Sequence, residues 1–189
     1  TKWNLSRFAE CLIPLIHENN EMAIKSATEL INTFGEKYEE KWLNMMRKKL
    51  GLLGIDNKDK LLIVDLLTWM HQNKVDYTNT FCNLMDINSD EVYKNNNYIL
   101  WKNKWRKRSE LNNLSKEKQI KLMRKNNPIV IPRNHKVEEA LAEASKGNLD
   151  NFKNLLDVLK KPYSKQNKIE KYQMPAPLSN KKYQTYCGT

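Results

Sequence analysis

The chain reads as an all-α protein of about eight helices with an irregular C-terminal tail. Three observations carry that expectation. Only five glycines and six prolines punctuate 189 residues, too few for the many tight turns of an all-β fold. Leucine, lysine, glutamate and methionine, which lose little side-chain freedom in a helix, fill the segments between them. Apolar residues recur at mostly three- and four-residue spacing over long windows.

The elements follow in order. Residues 3 to 18 form an amphipathic pattern on Trp3, Phe8, Leu12, Leu15 and Ile16, with Pro14 inside it predicting a kink or a break. Helices are predicted over 21 to 34 and 36 to 50. In the second, Tyr38, Trp42, Met45, Met46 and Leu50 make one stripe, read as core rather than a cofactor box, and Gly51 is a natural stop. Asp56 is a candidate cap for a helix over 57 to 73, and Asp59 adds negative charge to its first turn, where the helix dipole favours it. That helix is apolar nearly all round and belongs at the centre of a domain.

Asp76 begins a short helix through Phe81, Leu84 and Met85, and Ser89 opens a longer one through Tyr93, Leu100, Trp101 and Trp105 to Arg108. Ser115 starts a basic helix that Pro128 prevents from continuing past Asn126. Residues 128 to 133 form an extended connector. Helix 135 to 146 ends at Gly147, and Asn148 caps a last helix running to Lys160. From Pro162 onward an irregular tail is held, if at all, by Tyr163, Tyr172 and Tyr183. The predicted organisation is a helical domain over 1–126, a connector with a terminal helical pair packed on it over 127–161, and the tail over 162–189.

No run approaches the 18 to 20 apolar residues of a membrane span, so no membrane partner is expected. The chain opens at Thr1 without methionine or signal peptide, which reads as a cut. Three separated cysteines, Cys11, Cys82 and Cys187, argue against a secreted disulfide framework and make a reducing, cytoplasmic setting the default. Cys11 and Cys82 sit among apolar residues and are expected to be small buried hydrophobes.

The net charge is +11, and residues 94 to 125 hold eleven Lys or Arg against two acids. Such a stretch is the footprint of a nucleic-acid binder. Yet arginine, the residue of bidentate base readout, supplies only six of the 33 cations, and abundant lysine and asparagine are what an AT-rich genome places at solvated positions. A solvated face, or a contact for phosphate or an acidic protein, is therefore preferred over nucleic acid.

Chemistry is sparse. His17, His71 and His135 are isolated and lack partners at metal-ligand spacing. Gly51-Leu52-Leu53-Gly54 has no Gly-Lys-Ser/Thr ending and follows a helix, unlike a phosphate loop. Asp86-Ile87-Asn88-Ser89-Asp90 imitates the start of a calcium loop but has Glu91 where glycine must turn and Asn97 where a bidentate glutamate is needed. No catalytic or metal-binding residue is assigned. Cys187 is different: it lies in a polar tail with Lys181 and Lys182 upstream, a setting that favours the reactive thiolate. An unreactive tail thiol and a redox role both stand open on the residues alone.

Several blocks resemble the selenoprotein O family of protein adenylyltransferases. Trp3-Asn4-Leu5-Ser6-Arg7 with Ala9-Glu10 resembles its Trp-Asn-Leu-x-Arg-Leu-Ala-Glu helix. Met46-Arg47-Lys48-Lys49-Leu50-Gly51-Leu52 and Asp76-Tyr77-Thr78 with Phe81 and Leu84 resemble two further segments. Asn127-Pro128, Arg133-Asn134, Leu155-Leu156, Pro162-Tyr163 and Cys187 follow in the family's order. Phe8 replaces a usual leucine, and Pro175-Ala176-Pro177 stands where a proline triplet is common.

The resemblance implies a kinase-like fold that transfers AMP from ATP, with Mg or Mn, to Ser, Thr or Tyr of protein substrates. It implies that the nucleotide- and metal-binding residues lie upstream of Trp3, so that this chain is the helical C-terminal part of the larger lobe in a bacterial member. Its partners would be the N-terminal catalytic portion of the same protein and the protein substrates. Cofactor sites are expected in that portion and none in this chain. By the same resemblance Cys187 is a redox candidate whose disulfide partner lies outside the chain. The alternatives are a basic helical nucleic-acid-binding module and a protein-interaction module.

Overall fold

The computed structural model describes residues 1–86 and 93–177. Among them are nine helices of eight residues or more and one four-residue turn of helix: α1 (Lys2–Ile16), α2 (Asn20–Asn32), α3 (Phe34–Lys49), α4 (Asp59–Gln72), α5 (Tyr77–Leu84), α6 (Asn96–Glu110), α7 (Lys116–Asn126), α8 (Asn134–Ala144), α9 (Asp150–Leu159) and α10 (Glu170–Gln173). The described residues contain no strand.

Local chemistry explains the boundaries. Asn19, Asp76, Asn95 and Ser115 each accept a backbone N–H of the first turn through the side chain, satisfying donors that the helix itself leaves open. Helix α3 ends as expected at Gly51, whose φ of +67° suits glycine. There the Leu52 amide donates to the Arg47 carbonyl and the Gly51 amide to Lys48, the paired bonds of a Schellman turn. Gly147, with φ of +89°, turns the chain between α8 and α9.

The differences from expectation are instructive. Helix α1 runs through Pro14 without a break and ends two residues later, at Ile16. Pro14 is near the C-terminal end, where its exposed position lets water serve the freed carbonyl. Helix α6 starts at Asn96, capped by Asn95, so Tyr93 precedes the helix; Ser89 lies outside the described residues. Asn148 does not cap α9 but accepts the Asp150 amide in the turn before it. The tail carries the turn α10, and of its tyrosines Tyr172 is buried while Tyr163 is half-exposed.

The main core gathers Met46 of α3 and its cap residue Leu50, Ile63, Leu66, Trp69 and Met70 of α4, Phe81 and Leu84 of α5, Tyr98, Trp101 and Trp105 of α6, and Met123 of α7. Burying each such side chain contributes about 1.5 to 3 kcal/mol. The indole N–H groups remain satisfied: Trp101 donates to the Leu62 carbonyl at 2.8 Å and Trp105 to the Leu50 carbonyl at 2.9 Å. A smaller core of Val130, Ala140, Leu155 and Tyr172 joins the connector, α8, α9 and α10.

The stripe expected as core on α3 is only half used. Met46 on α3 and Leu50 at its cap are buried, whereas Tyr38 and Met45 face outward. On α1 no residue is buried, and Trp3, Phe8 and Leu15 are exposed. Helix α4 sits in the core on one side but leaves Leu61 and Val64 exposed on the other.

Candidate functional site

The buried polar groups of the chain are concentrated where the sequence blocks meet. The fully buried Asp59 carboxylate is held by two arginines, Arg47 Nε at 2.6 Å on one oxygen and Arg108 Nε at 2.7 Å on the other. The Asp56 amide adds a third donor at 3.0 Å. Burial alone would push this carboxyl up; the Arg108 and Arg47 hydrogen bonds outweigh it and hold Asp59 below the usual carboxylate range. Arg108 also donates to the Leu53 carbonyl and to Asn112, and Asn112 donates to the Gly51 carbonyl. The turn after α3 is thereby fixed against α4 and α6.

A second node joins α5 to the C-terminal part. The Arg133 guanidinium places both terminal nitrogens on Asp76, at 2.7 and 2.9 Å, and reaches Asn79. Burial opposes ionisation of Asp76 as well, and again the Arg133 fork with the first-turn amides lowers it below the normal value. Asn79 donates to the Gln173 carbonyl, Gln173 to the Ile129 carbonyl, and the Ile129 amide to the Pro162 carbonyl.

Between the nodes lies Lys49, buried with its ammonium 4.8 Å from the Phe81 ring centre and 5.4 Å from that of Tyr77. Burial pulls its pKa down, and burial likewise raises the Tyr77 hydroxyl. Cys82, partly buried against the Pro128 carbonyl, is pushed up to about 11 by desolvation despite the pull of Lys49. A thiol in that state is a poor nucleophile, in keeping with the core role expected of it. Cys11 departs from expectation and is exposed on α1.

None of these groups forms a reactive constellation. Asp59 and Asp76 are ion-paired and hydrogen-bonded to structural donors, and the histidines stay apart: His17 and His71 are exposed, and His17 Nδ1 accepts the Asn19 amide between α1 and α2. Among the described residues no three His, Cys, Asp or Glu side chains form a group able to hold a metal ion. Cys187 and most of the calcium-loop imitation lie outside the described residues. No helix is long and apolar enough to cross a membrane, again among the described residues.

The basic stretch is partly consumed inside the fold. Arg108 serves Asp59, Lys102 is buried, and Lys104 pairs with Asp65 at 3.6 Å beside a cleft of about 570 Å³ between α4 and α6. Lys107, Lys116, Lys118, Lys121, Arg124 and Lys125 are exposed.

What sequence reading missed is the meaning of Asp59. It has the right place for a dipole charge, but its partner Arg108 is 49 residues away and nothing local announces it. The signal that was present lay in the family blocks: Arg47, Asp76, Asn127, Arg133 and Pro162 all belong to them, and each takes part in a bond that joins distant segments. Asn127, for example, is buried and donates to the Lys49 and Met123 carbonyls.

Comparison with known proteins agrees with this pattern. The family model described as "Protein adenylyltransferase SelO" matches residues 1–160. A protein nucleotidyltransferase YdiU of Pelagibacter ubique is 54% identical over 191 aligned residues, covering 100% of this chain and 40% of that protein. The proteins of the same name from Alcanivorax borkumensis and Clostridium perfringens (strain SM101) are 43% and 42% identical, with 40% and 39% of their lengths covered. This chain thus spans about two fifths of the length of the curated relatives it matches. With the family model matched from Trp3 through the Arg133 node to α9, the chain belongs to the SelO family of protein adenylyltransferases.

Proposed function

We propose that this chain is the C-terminal helical portion of a bacterial protein adenylyltransferase and acts there as a non-catalytic scaffold. The whole protein transfers AMP from ATP, with Mg or Mn, to hydroxyls of Ser, Thr or Tyr in protein substrates. The portion beyond this chain supplies the nucleotide- and metal-binding groups. In this reading residues 1–126 form the helical domain, 127–161 a connector and helical pair packed on it, and 162–189 a tail presenting Cys187 to a redox partner elsewhere in the polypeptide. The setting is cytoplasmic.

The observation that carries the reading is how the family's blocks are used. Arg47, Asn127 and Arg133 are spent on Asp59, the Lys49 carbonyl and Asp76, contacts that hold helices in place and leave little capacity for a phosphate. Phosphoryl and nucleotidyl transfer need free cations and metal around the phosphates and a base at the nucleophile. Together with the two-fifths coverage of the relatives, this supports a supporting role.

The test is transfer of label from α-labelled ATP to protein with Mn or Mg. The full-length polypeptide is expected to transfer label, and the 189-residue chain to transfer none. Labelling by the chain alone would overturn the division of roles.

A further inference from the structure

Helix α1 carries two apolar faces. One, with Ala9 and Ile13, lines the groove shared with Ile24, Ala27 and Ile31 of α2. At 100° per residue, Trp3, Phe8, Cys11 and Leu15 fall within a second arc of about 140°, shared with Asn4 and with Arg7, whose guanidinium lies 5.9 Å from the Trp3 ring centre. This second face is open: Trp3 is 71%, Phe8 61% and Leu15 82% exposed, and Cys11 is exposed beside them. Helix α2 in turn buries only Ala23.

The hairpin is therefore short of support. Among the described residues α1 packs substantially on α2 alone, and α2 makes only a slight further contact with α3. Two helices of 15 and 13 residues that bury so little are marginal in water, because isolated helices of this length gain too little from their own hydrogen bonds. A helix apolar on two sides belongs between two layers. One layer is α2; the other is not among the described residues.

We infer that the Trp3–Phe8–Cys11–Leu15 face of α1 is the seam against which the remaining part of the same polypeptide packs. The chain covers 40% of the length of its relatives, so a longer partner segment is built into the molecule. Tethered in one chain, that segment meets the face at high effective concentration and without the entropy loss of a bimolecular encounter. A second copy has neither advantage. The inference rests on this chain being part of a longer protein and is independent of AMP transfer.

Cys11 is a built-in reporter of the seam. In the native full-length polypeptide, alkylation of Cys11 by iodoacetamide, resolved by peptide mass spectrometry, is expected to be about 100-fold slower than in the same protein unfolded in urea. Leu15→Glu is expected to restore much of the rate by opening the seam, while the partly buried Cys82 stays slow and reports that the fold is intact. Should Leu15→Glu fail to fold, Leu15→Ala and the wild-type rate decide the question. A native Cys11 rate within about threefold of the unfolded one would overturn the inference. Protection that vanishes on dilution together with a dimer would also overturn it, in favour of self-association. Protection of Cys11 in a protein that transfers no label would refute the proposed activity and leave the seam standing.

Discussion

Asp59 shows how much one side chain can carry. Its carboxylate has no exposed surface and joins α3, α4 and α6 through Arg47 and Arg108. Removing one partner of a buried ion pair leaves uncompensated charge, here two guanidinium groups around a void. Asp59→Ala is therefore expected to cost about 3 to 5 kcal/mol in urea unfolding followed by tryptophan fluorescence. The pH dependence follows from the same bonds. Asp59 and Asp76 both have folded pKa values below their unfolded ones, so between the two values the unfolded state binds more protons. Stability from these groups is present above about pH 4 and is lost as pH falls through the folded values. Urea midpoints measured from pH 7 to pH 3 should fall at the acid end, and the fall should be shallower in Asp76→Asn.

At the scale of the element, the turn after α3 is the most constrained joint. Gly51 has a positive φ, and a Cβ there would lie 2.7 Å from Gln119 Cγ and 2.8 Å from Met123 Cγ on α7. Gly51→Ala thus combines backbone strain with overpacking against α7. A loss of about 2 to 4 kcal/mol in thermal or urea unfolding is expected, more than glycine replacement costs in open surface turns. Gly54 and Gly147 also have positive φ but nothing within 4 Å of such a Cβ, so Gly147→Ala serves as the control for strain alone. The element ends were legible beforehand because caps are local: Asp76, Ser115, Gly51 and Gly147 each act within a few residues of their own position. Ser89 lies outside the described residues, and Asn95 stands nearer the periodic residues, with a side chain that takes two first-turn amides.

At the scale of the whole molecule, the exposed faces matter as much as the cores. A large core over α3 to α7 and a smaller one over the connector, α8, α9 and α10 are complete, while α1 and the Leu61–Val64 side of α4 remain open. Surfaces of this kind on helices mark a contact to come. Two outcomes belong to this scale, label transfer by the full-length polypeptide alone and slow alkylation of Cys11 within it. They address different links: the first asks what the completed molecule does, the second how it is completed. Cys11 also shows why sequence reading placed it in a core. Its apolar neighbours were read correctly, and no layer among the described residues covers them.

The sequence by itself determined the all-α class, most helix boundaries, the extended connector at 128–133 and the family. Each depends on information carried by short range or by ordered blocks: periodicity, caps, prolines and motif spacing. Only the tertiary structure decided which charges are internal and which faces are open. Arg108 looked like one more cation in a basic stretch until the fold set it against Asp59, and Trp3 looked like part of an ordinary amphipathic helix until the fold left it uncovered. The physical reason is that burial and ion pairing belong to segments far apart in the chain, and their partners are chosen by packing, which no local pattern encodes.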